Sequence, residues 1–141
     1  MNSLKKIIQL GNSVRDKKQI FVIIKPEYLK YQQKIVDIFI KNGWSIDKLR
    51  TKQLLPSEAQ GIYRVHRGES FYKDLCKYMT SGPSVGILFT KRGNSSDTTF
   101  GSIQKIKNEI RSKWSIDDMK NVIHSSDSPE AVSLESSIYF E

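Results

Sequence analysis

The segment Gln19–Lys25 has the sequence QIFVIIK and is followed directly by Pro26. Its β-branched and aromatic side chains run without an alternating polar position, which favours a strand that is buried on both faces. Such a strand lies in the middle of a sheet, with other elements packed against both sides. The segment therefore predicts the central strand of the fold, and the other elements are interpreted around it.

A helical period follows Pro26. Apolar side chains recur at spacings of three and four residues from Tyr28 to Phe39, and Asn42-Gly43 is a typical helix end. Similar patterns predict the remaining elements. The first are a strand over 44–55, a helix from Pro56 with Ser57 and Gln60 as a capping box, and a helix over 71–79. A strand over 84–90, a surface loop over 91–100 and a basic helix over 102–113 follow. The last are a short helix over 117–122, a helix from Pro129 and a closing strand over 136–140.

This order of elements indicates an α+β fold. A length of 141 residues suits one compact domain. Strands and helices in this order are typical of a ferredoxin-like arrangement, in which a four-stranded antiparallel sheet is covered by helices. We place this domain at residues 19–141.

Residues 1–18 precede the domain and are basic, with no acid before Asp16. We expect an N-terminal extension or an added helix. Mitochondrial targeting is the alternative interpretation, although transit peptides are typically rich in arginine and this segment contains only Arg15. Cys76 is the single cysteine, which excludes an intrachain disulfide and favours a reducing compartment such as the cytoplasm. No apolar run approaches the roughly 18–20 residues of a membrane span, so no membrane partner is expected.

The charge of the chain favours anionic partners. Lysine and arginine number 23 against 15 acidic residues, which gives a net charge of +8. Nucleotides, phosphate groups, nucleic acid and acidic membrane surfaces are all compatible with this excess. A lysine-rich composition with solvated side chains explains it equally well.

His124 is the main candidate for chemistry, within the sequence NVIHSSDS. A lone histidine is more often structural or merely exposed. A neutral imidazole is nevertheless a competent nucleophile toward phosphorus when another group fixes its tautomer. Phosphoryl transfer also needs positive charge around the phosphate oxygens, and Lys25 and Arg111 are candidates for that charge.

Other nucleotide sites are not supported by the sequence. The chain contains neither the P-loop motif nor the glycine-rich loop of dinucleotide-binding folds and protein kinases. Two histidines and one cysteine also disfavour a tight zinc site.

The chain resembles the nucleoside diphosphate kinase family from about Gln19 to Phe140. The resemblance is carried by IKP at Ile24–Pro26, by FYKDLCKYMTSGP at Phe71–Pro83 and by NVIHSSDS at Asn121–Ser128. The last segment is similar to the family's N-x-I-H-G-S-D-S around its phosphohistidine, which is a highly specific motif.

The resemblance implies a ping-pong reaction. His124 would take the γ-phosphate from a nucleoside triphosphate and pass it to a nucleoside diphosphate. Mg²⁺ would bridge the nucleotide phosphates, with Asp127 acting on it through water. The other residues implied by position are Lys25, Tyr63, Arg111 and Asn121 for phosphate and sugar, Phe71 and Leu75 for the base, and Ser126 and Glu135 for holding His124.

The residues alone leave alternatives for several of these positions. Phe71 and Leu75, four residues apart, are also typical of a helix face packed in the core. Tyr63 is compatible with a packing role, and Glu135 with an ordinary solvated acid.

The chain departs from the family between its third strand and His124. Relatives carry a long excursion there, called the Kpn loop, whereas Ser102–Ile110 here runs almost directly into Arg111. A second phosphate-binding arginine of the family has no clear match, and Lys105 and Lys107 fall nearest to it.

Smaller departures follow in the same region. Ser125 replaces the usual glycine after the histidine, and Ser112-Lys113 replaces Gly-Asp. These smaller departures bear on catalytic efficiency. The shortened loop leads us to expect weak nucleotide affinity and a homodimer or other small homo-oligomer, or a monomer, rather than a hexamer.

The leading hypothesis is therefore an active nucleoside diphosphate kinase. The alternative is a catalytically weak or inactive relative that acts as a nucleotide-binding, nucleic-acid-binding or scaffolding module. The shortened loop and the net charge of +8 favour this alternative.

Overall fold

The computed structural model describes residues 17–92 and 99–141. Four strands and five α-helices are found in these ranges, with single 3-10 turns at Leu29–Tyr31 and Arg64–His66. In chain order they are β1 (Lys17–Ile24), α1 (Gln32–Lys41), β2 (Ser45–Lys52), α2 (Pro56–Ile62), α3 (Tyr72–Met79), β3 (Ser84–Arg92), α4 (Thr99–Trp114), β4 (Ile123–Ser125) and α5 (Pro129–Phe140).

The strands form one antiparallel sheet in the order β2-β3-β1-β4. The predicted α+β, ferredoxin-like arrangement is thereby confirmed. β1 lies inside the sheet, because it pairs with β3 on one side and with β4 on the other.

β1 is buried on both faces, as its sequence predicts. Ile20, Val22 and Ile24 pack toward α1 and α4, whereas Phe21 and Ile23 pack toward α2, α3 and α5. All five side chains are fully buried. Because side chains alternate between the two faces of β1, this strand contributes to both hydrophobic layers. The end of β1, where the chain continues into Lys25, is therefore held firmly.

β2 lies at an edge of the sheet and pairs with β3 alone among the described strands. Ile46 and Leu49 on this strand are 43% and 41% exposed. A register shift between Ile46 and Lys48 marks a β-bulge. The strand thus leaves backbone groups and two apolar side chains on an open edge.

The closing strand predicted over Ser136–Phe140 is wrong, because these residues form the last part of α5. The Ser137 hydroxyl donates to the carbonyl of Leu134 at 2.8 Å, so it is satisfied within the helix. The fourth strand is instead the three-residue segment Ile123–Ser125, which is too short to show a sequence period.

The short helix predicted over Asp117–Val122 is also wrong. The Asp117 carboxylate accepts hydrogen bonds from the backbone N–H groups of Met119 and Lys120, at 2.9 and 2.7 Å. This side-chain turn replaces the helical pattern of backbone bonds. Val122 then has a φ of 79°, which a right-handed helix excludes.

The start of α2 differs from its prediction as well. The N-cap residue is Leu55, and Oε1 of Glu58 accepts a hydrogen bond from its backbone N–H at 2.9 Å. The predicted capping box of Ser57 and Gln60 is therefore wrong, and Glu58 satisfies the helix start instead.

The predicted surface loop over 91–100 is wrong at both of its ends. Lys91 and Arg92 extend β3, and Thr99 and Phe100 begin α4. Residues 93–98 lie outside the described residues, as do residues 1–16 of the predicted N-terminal extension. Within the described ranges, none of the helices has both the length and the apolar character that a bilayer crossing requires.

Gly86 provides a test of the packing between β3 and α5. A Cβ atom at this position would overlap the ring of Tyr139, which is fully buried and bonded through its hydroxyl to Ser84 Oγ at 2.9 Å. Gly86→Ala should lower the free energy of unfolding by about 1–3 kcal/mol, measured by urea denaturation. Gly82→Ala is the matched control, because no described atom lies within 4 Å of its Cβ position. Equal losses for the two variants would contradict the packing argument.

Candidate active site

A cleft of about 770 Å³ opens beside the end of β1, bordered by β4, α4, α5 and the segment 62–75. All of the predicted site residues except Ser126 and Lys105 line this cleft. They are Lys25, Tyr63, Phe71, Leu75, Lys107, Arg111, Asn121, His124, Asp127 and Glu135.

Helix geometry explains why Lys105 is not part of the cleft. Gln104, Lys107 and Arg111 line it, and their spacing of three and four residues places them on one face of α4. Lys105 falls on another face and is exposed. The lysine that accompanies Arg111 is therefore Lys107.

His124 is held by a buried carboxylate. Its Nε2 atom lies 2.5 Å from Oε1 of Glu135, and the same oxygen accepts a hydrogen bond from the Ser126 hydroxyl at 3.0 Å. Glu135 is 4% exposed and Ser126 is 2% exposed, so Glu135 is not the solvated acid of the alternative interpretation. Ser126 does not line the cleft, and its hydroxyl supports His124 indirectly by donating to Glu135.

The contact with Glu135 assigns the tautomer of His124. A carboxylate only accepts hydrogen bonds, so the imidazole proton is placed on Nε2 and the lone pair on Nδ1. Burial lowers the pKa of His124, although the Glu135 carboxylate opposes this effect. Burial alone would raise the pKa of Glu135, but the bonds from His124 and Ser126 and the charge of Arg64 keep it below its usual range. The pair therefore combines a neutral imidazole with an ionised carboxylate.

A row of rings runs from His124 toward Phe71. The Tyr63 ring meets His124 edge to face at a centroid distance of 5.0 Å, and it lies 6.3 Å from the His66 ring on its other side. His66 lies 5.3 Å from Phe71. The Tyr63 hydroxyl is buried without a partner among the described groups, and burial raises its pKa. An unsatisfied hydroxyl in a cleft is a position for a ligand oxygen.

Phe71 and Leu75 differ despite their helical spacing. Phe71 is 41% exposed and lines the cleft, so its ring is available to a ligand. Leu75 is 6% exposed and belongs to the core cluster under α3, while also reaching the cleft wall. The core interpretation therefore holds for Leu75 but not for Phe71.

Lys25 is a buried cation at the end of β1. It is 4% exposed, and its Nζ donates to Oδ1 of Asn121 at 2.7 Å and to the carbonyl of Met119 at 3.1 Å. Burial, together with the nearby charges of Arg111 and Lys107, lowers its pKa to about 7. Without an anion, this lysine is poorly compensated.

Arg111 and Lys107 add positive charge to the same cleft. Arg111 donates from Nη2 to the carbonyl of Ile123 at 3.0 Å, while its Nε is buried without a partner among the described groups. Burial and the charge of Arg111 lower the pKa of Lys107 to about 8. Three cations that mutually disfavour their charged forms indicate a site for a polyanion.

The backbone before His124 is strained. Val122 has a φ of 79°, and the N–H of Ile123 donates to the carbonyl of Asn121 at 3.0 Å, which defines a γ-turn. A positive φ is unfavourable for a β-branched residue. The turn is held by the Lys25 N–H, which donates to the carbonyl of Val122 at 2.9 Å. It brings Asn121 to Lys25 while His124 stays in the sheet.

Several residues of the cleft were missed or given little weight from the sequence. Arg64 forms an ion pair with Oε2 of Glu135 at 3.5 Å, and His66 belongs to the row of rings. Val65, Gln104, Asp118 and Met119 also line the cleft. The only available signal was the position of residues 64–66 directly after Tyr63.

The carboxylates of the cleft do not form a metal-binding cluster by themselves. No group of three or more His, Cys, Asp or Glu side chains suited to a metal ion occurs among residues 17–92 and 99–141. Asp127 is an exposed carboxylate at the cleft. Any metal held here would need additional ligands from a bound molecule.

Comparison with known proteins agrees with this site. The family profile described as nucleoside diphosphate kinase matches residues 18–141. The chain belongs to the nucleoside diphosphate kinase family. This confirms the resemblance drawn from the three motifs of the sequence.

Individual members of the nucleoside diphosphate kinase family match along most of their length. The nucleoside diphosphate kinase of Prochlorococcus marinus (strain MIT 9515) is 34% identical over 134 residues, which cover 89% of this chain and 87% of that protein. The one from Hyperthermus butylicus is 35% identical over 129 residues, covering 85% and 89%. A crystal structure of the Aquifex aeolicus nucleoside diphosphate kinase superposes with a TM-score of 0.73 at 31% identity, covering 89% of this chain and 96% of that chain.

In this nucleoside diphosphate kinase family member, residues 115–122 alone connect α4 to β4. α4 ends at Trp114, whose ring stacks on Tyr31 at a centroid distance of 4.7 Å. Ile116 N–H donates to the Tyr28 hydroxyl at 3.2 Å, which in turn donates to the carbonyl of Lys120 at 2.6 Å. The connection is therefore short and bonded to the turn after β1.

The lowered pKa of Lys25 predicts a pH dependence of stability. Its pKa is about 7 in the folded protein and 10.5 for a free side chain. Between these values the unfolded chain binds more protons, so the free energy of unfolding rises with pH by up to about 1.4 kcal/mol per pH unit. Lys25→Met lacks this contribution. The stability gained by the Lys25→Met variant over the parent should be largest at and below pH 7 and should shrink toward pH 10.

Chemical denaturation of the nucleotide-free protein at several pH values measures this difference. The control is Lys73→Met, which removes an exposed lysine of α3 and should keep the pH dependence of the parent. If the difference between the Lys25→Met variant and the parent were constant from pH 7 to pH 10, Lys25 would not be the buried, poorly compensated cation described above.

Proposed function

We propose that this chain is a nucleoside diphosphate kinase that transfers the γ-phosphate of a nucleoside triphosphate to a nucleoside diphosphate through phosphorylated His124. The observation that carries the proposal is the arrangement of His124. Its Nε2 is bonded to a buried carboxylate, and its ring shares one cleft with the cationic side chains of Lys25, Lys107 and Arg111. Membership of the nucleoside diphosphate kinase family supports the same activity.

The reaction has two symmetrical half-reactions. The Nδ1 lone pair attacks the γ-phosphorus, the bond from phosphorus to the β–γ bridging oxygen breaks, and the nucleoside diphosphate leaves. Positive charge develops on the imidazole ring, and the Glu135 carboxylate next to Nε2 stabilises it. The terminal phosphate oxygen of a second nucleoside diphosphate then attacks the phosphohistidine and regenerates the free ring.

Positive charge around the phosphates comes from Lys25, Lys107 and Arg111 in this proposal. The two lysines are partly deprotonated near pH 8 in the empty cleft, and a polyanion would restore their charge. The Tyr63 hydroxyl and Arg111 Nε, which have no partner among residues 17–92 and 99–141, are available to bond phosphate or sugar oxygens. Asn121 positions Lys25 through its Oδ1.

The base is held on the side of Phe71. Its exposed ring offers a stacking surface, with Leu75 as an apolar contact below. Stacking accepts any base, because every base has a π-face. With the short connection between α4 and β4, the base would be held mainly by this one ring, and the weak affinity expected from the sequence stays a prediction.

Mg²⁺ is the proposed cofactor. Magnesium is bound through one or two carboxylates, waters and substrate phosphates, and the exposed carboxylate of Asp127 at the cleft fits that ligand set. When bound, the ion would neutralise charge on the transferring phosphates. Asp127 would hold it through water, with the nucleotide phosphates as direct ligands.

Phosphate labelling tests the proposed activity. Incubation with γ-labelled ATP should give an acid-labile, alkali-stable label that is transferred to an added nucleoside diphosphate. His124→Ala should lose the label completely, because the nucleophile is removed. His66→Ala should retain it, although the chain has only these two histidines and both line the cleft. Absence of label in the parent protein would favour a nucleotide-binding, nucleic-acid-binding or scaffolding module instead.

We also propose that the chain forms a homodimer rather than a hexamer. The open edge of β2 carries unpaired backbone groups together with Ile46 and Leu49, which makes it suited to pairing with a second copy.

Light scattering should therefore give about twice the mass of one chain. Leu49→Lys should shift the protein to the monomer, because a charge on the edge disfavours pairing. Ile40→Lys places the same charge on α1, at a residue that is 50% exposed, and should leave the mass unchanged. A stable hexamer, or a monomeric parent, would overturn this proposal.

A further inference from the structure

We propose that Arg64 is a positioning residue for phosphoryl transfer, which holds the Glu135 carboxylate through the oxygen that His124 and Ser126 leave free. This inference rests on the proposed function of the same cleft. Its subject is an ion pair that joins the turn after α2 to α5.

The two oxygens of Glu135 have separate partners. Oε1 receives both His124 Nε2 and the Ser126 hydroxyl, at 2.5 and 3.0 Å. Oε2 lies 3.5 Å from Nη1 of Arg64. A carboxylate that is bonded through one oxygen only can rotate about its last side-chain torsion. A cation at Oε2 restricts this rotation and so fixes the carboxylate plane for the hydrogen bond with His124.

Arg64 is itself anchored. Its Nη1 donates to the carbonyl of Gly61 at 3.2 Å, near the end of α2. The Arg64 side chain is 32% exposed, whereas that of Glu135 is 6% exposed. The guanidinium thus reaches a buried carboxylate from the rim of the cleft, where it keeps part of its hydration.

Arg64 also contributes charge at the right place. The ionisable groups that face Glu135 come from three elements besides its own: His124 on β4, Tyr63 and Arg64 after α2, and Lys107 on α4. Of these, Arg64 is the cation in direct contact with the carboxylate. Its charge disfavours the uptake of an extra proton by the His124–Glu135 pair.

The extra proton would stop the reaction at either position. On Nδ1 of His124 it would occupy the nucleophilic lone pair. On Glu135 it would remove the negative charge that holds the tautomer of His124 and stabilises the charge of the phosphorylated ring. Arg64 therefore extends the active range of the pair to lower pH, without contact to the substrate.

The test is a pH titration of the histidine rings by ¹⁵N NMR in the nucleotide-free protein. The chain has two histidines, so the two rings are readily assigned with a His66→Asn variant. Arg64→Met should raise the apparent pKa of the His124–Glu135 pair by about 0.5 pH unit, because a partly exposed ion pair is lost. Arg64→Lys, which keeps the charge, should recover part of this shift.

Arg67→Met is the matched control. Arg67 is exposed, lies three residues along the same turn and does not line the cleft. Its removal takes away the same charge and should leave the titration of His124 unchanged. The acid limb of the pH profile of kcat/KM should move with the NMR titration in the Arg64→Met variant and stay in place in the Arg67→Met variant.

Three results would overturn the proposal. Equal titrations in the Arg64→Met and Arg67→Met variants would show that Arg64 does not act on the pair. A higher KM with an unmoved acid limb would place Arg64 on the nucleotide. If a lower Tm were the sole change in the Arg64→Met variant, Arg64 would be a structural contact without a positioning role. Failure of the proposed function would be distinguishable, since it would abolish labelling in the parent, whereas the NMR titration requires no nucleotide.

Discussion

The pairing of β1 with β4 is the contact on which the candidate active site depends. β4 has only three residues, yet its register sets Ile23 opposite His124. The ladder continues past the strand ends, because Lys25 N–H donates to the carbonyl of Val122 and Ser126 N–H donates to that of Phe21. A strand buried on both faces thus fixes His124 and the buried Lys25 in one rigid unit.

The other half of the site is set by the start of α5. The Ser128 hydroxyl accepts from the N–H of Ala131 at 3.1 Å and caps the helix, with Pro129 at its first position. Glu135 follows two turns later on the face toward β4, where it meets His124. His124 and Glu135 are only 11 residues apart in the sequence. The cap at Ser128 fixes the start of α5 and thereby the position of Glu135 relative to His124.

Sequence patterns predicted those features that are continuous along the chain. The apolar run at Gln19–Lys25 predicted the central strand, and the motif around His124 predicted a residue that lies in the cleft. β4 was missed, because three residues carry no period, and Arg64 was missed, because its partner Glu135 lies in a distant element. Their spacing of four residues also predicted the same environment for Phe71 and Leu75, although Phe71 is exposed and Leu75 is buried.

The cluster of Lys25, Lys107 and Arg111 has a consequence for the persistence of the protein in a cell. Like charges gathered in one cleft make the empty form the less stable one, and any polyanion that binds only the folded chain adds RT ln(1 + [L]/Kd) to its stability. Nucleotide abundance would then govern how often the chain opens to proteases. A falling nucleotide supply would shorten the lifetime of the protein as well as slow its turnover.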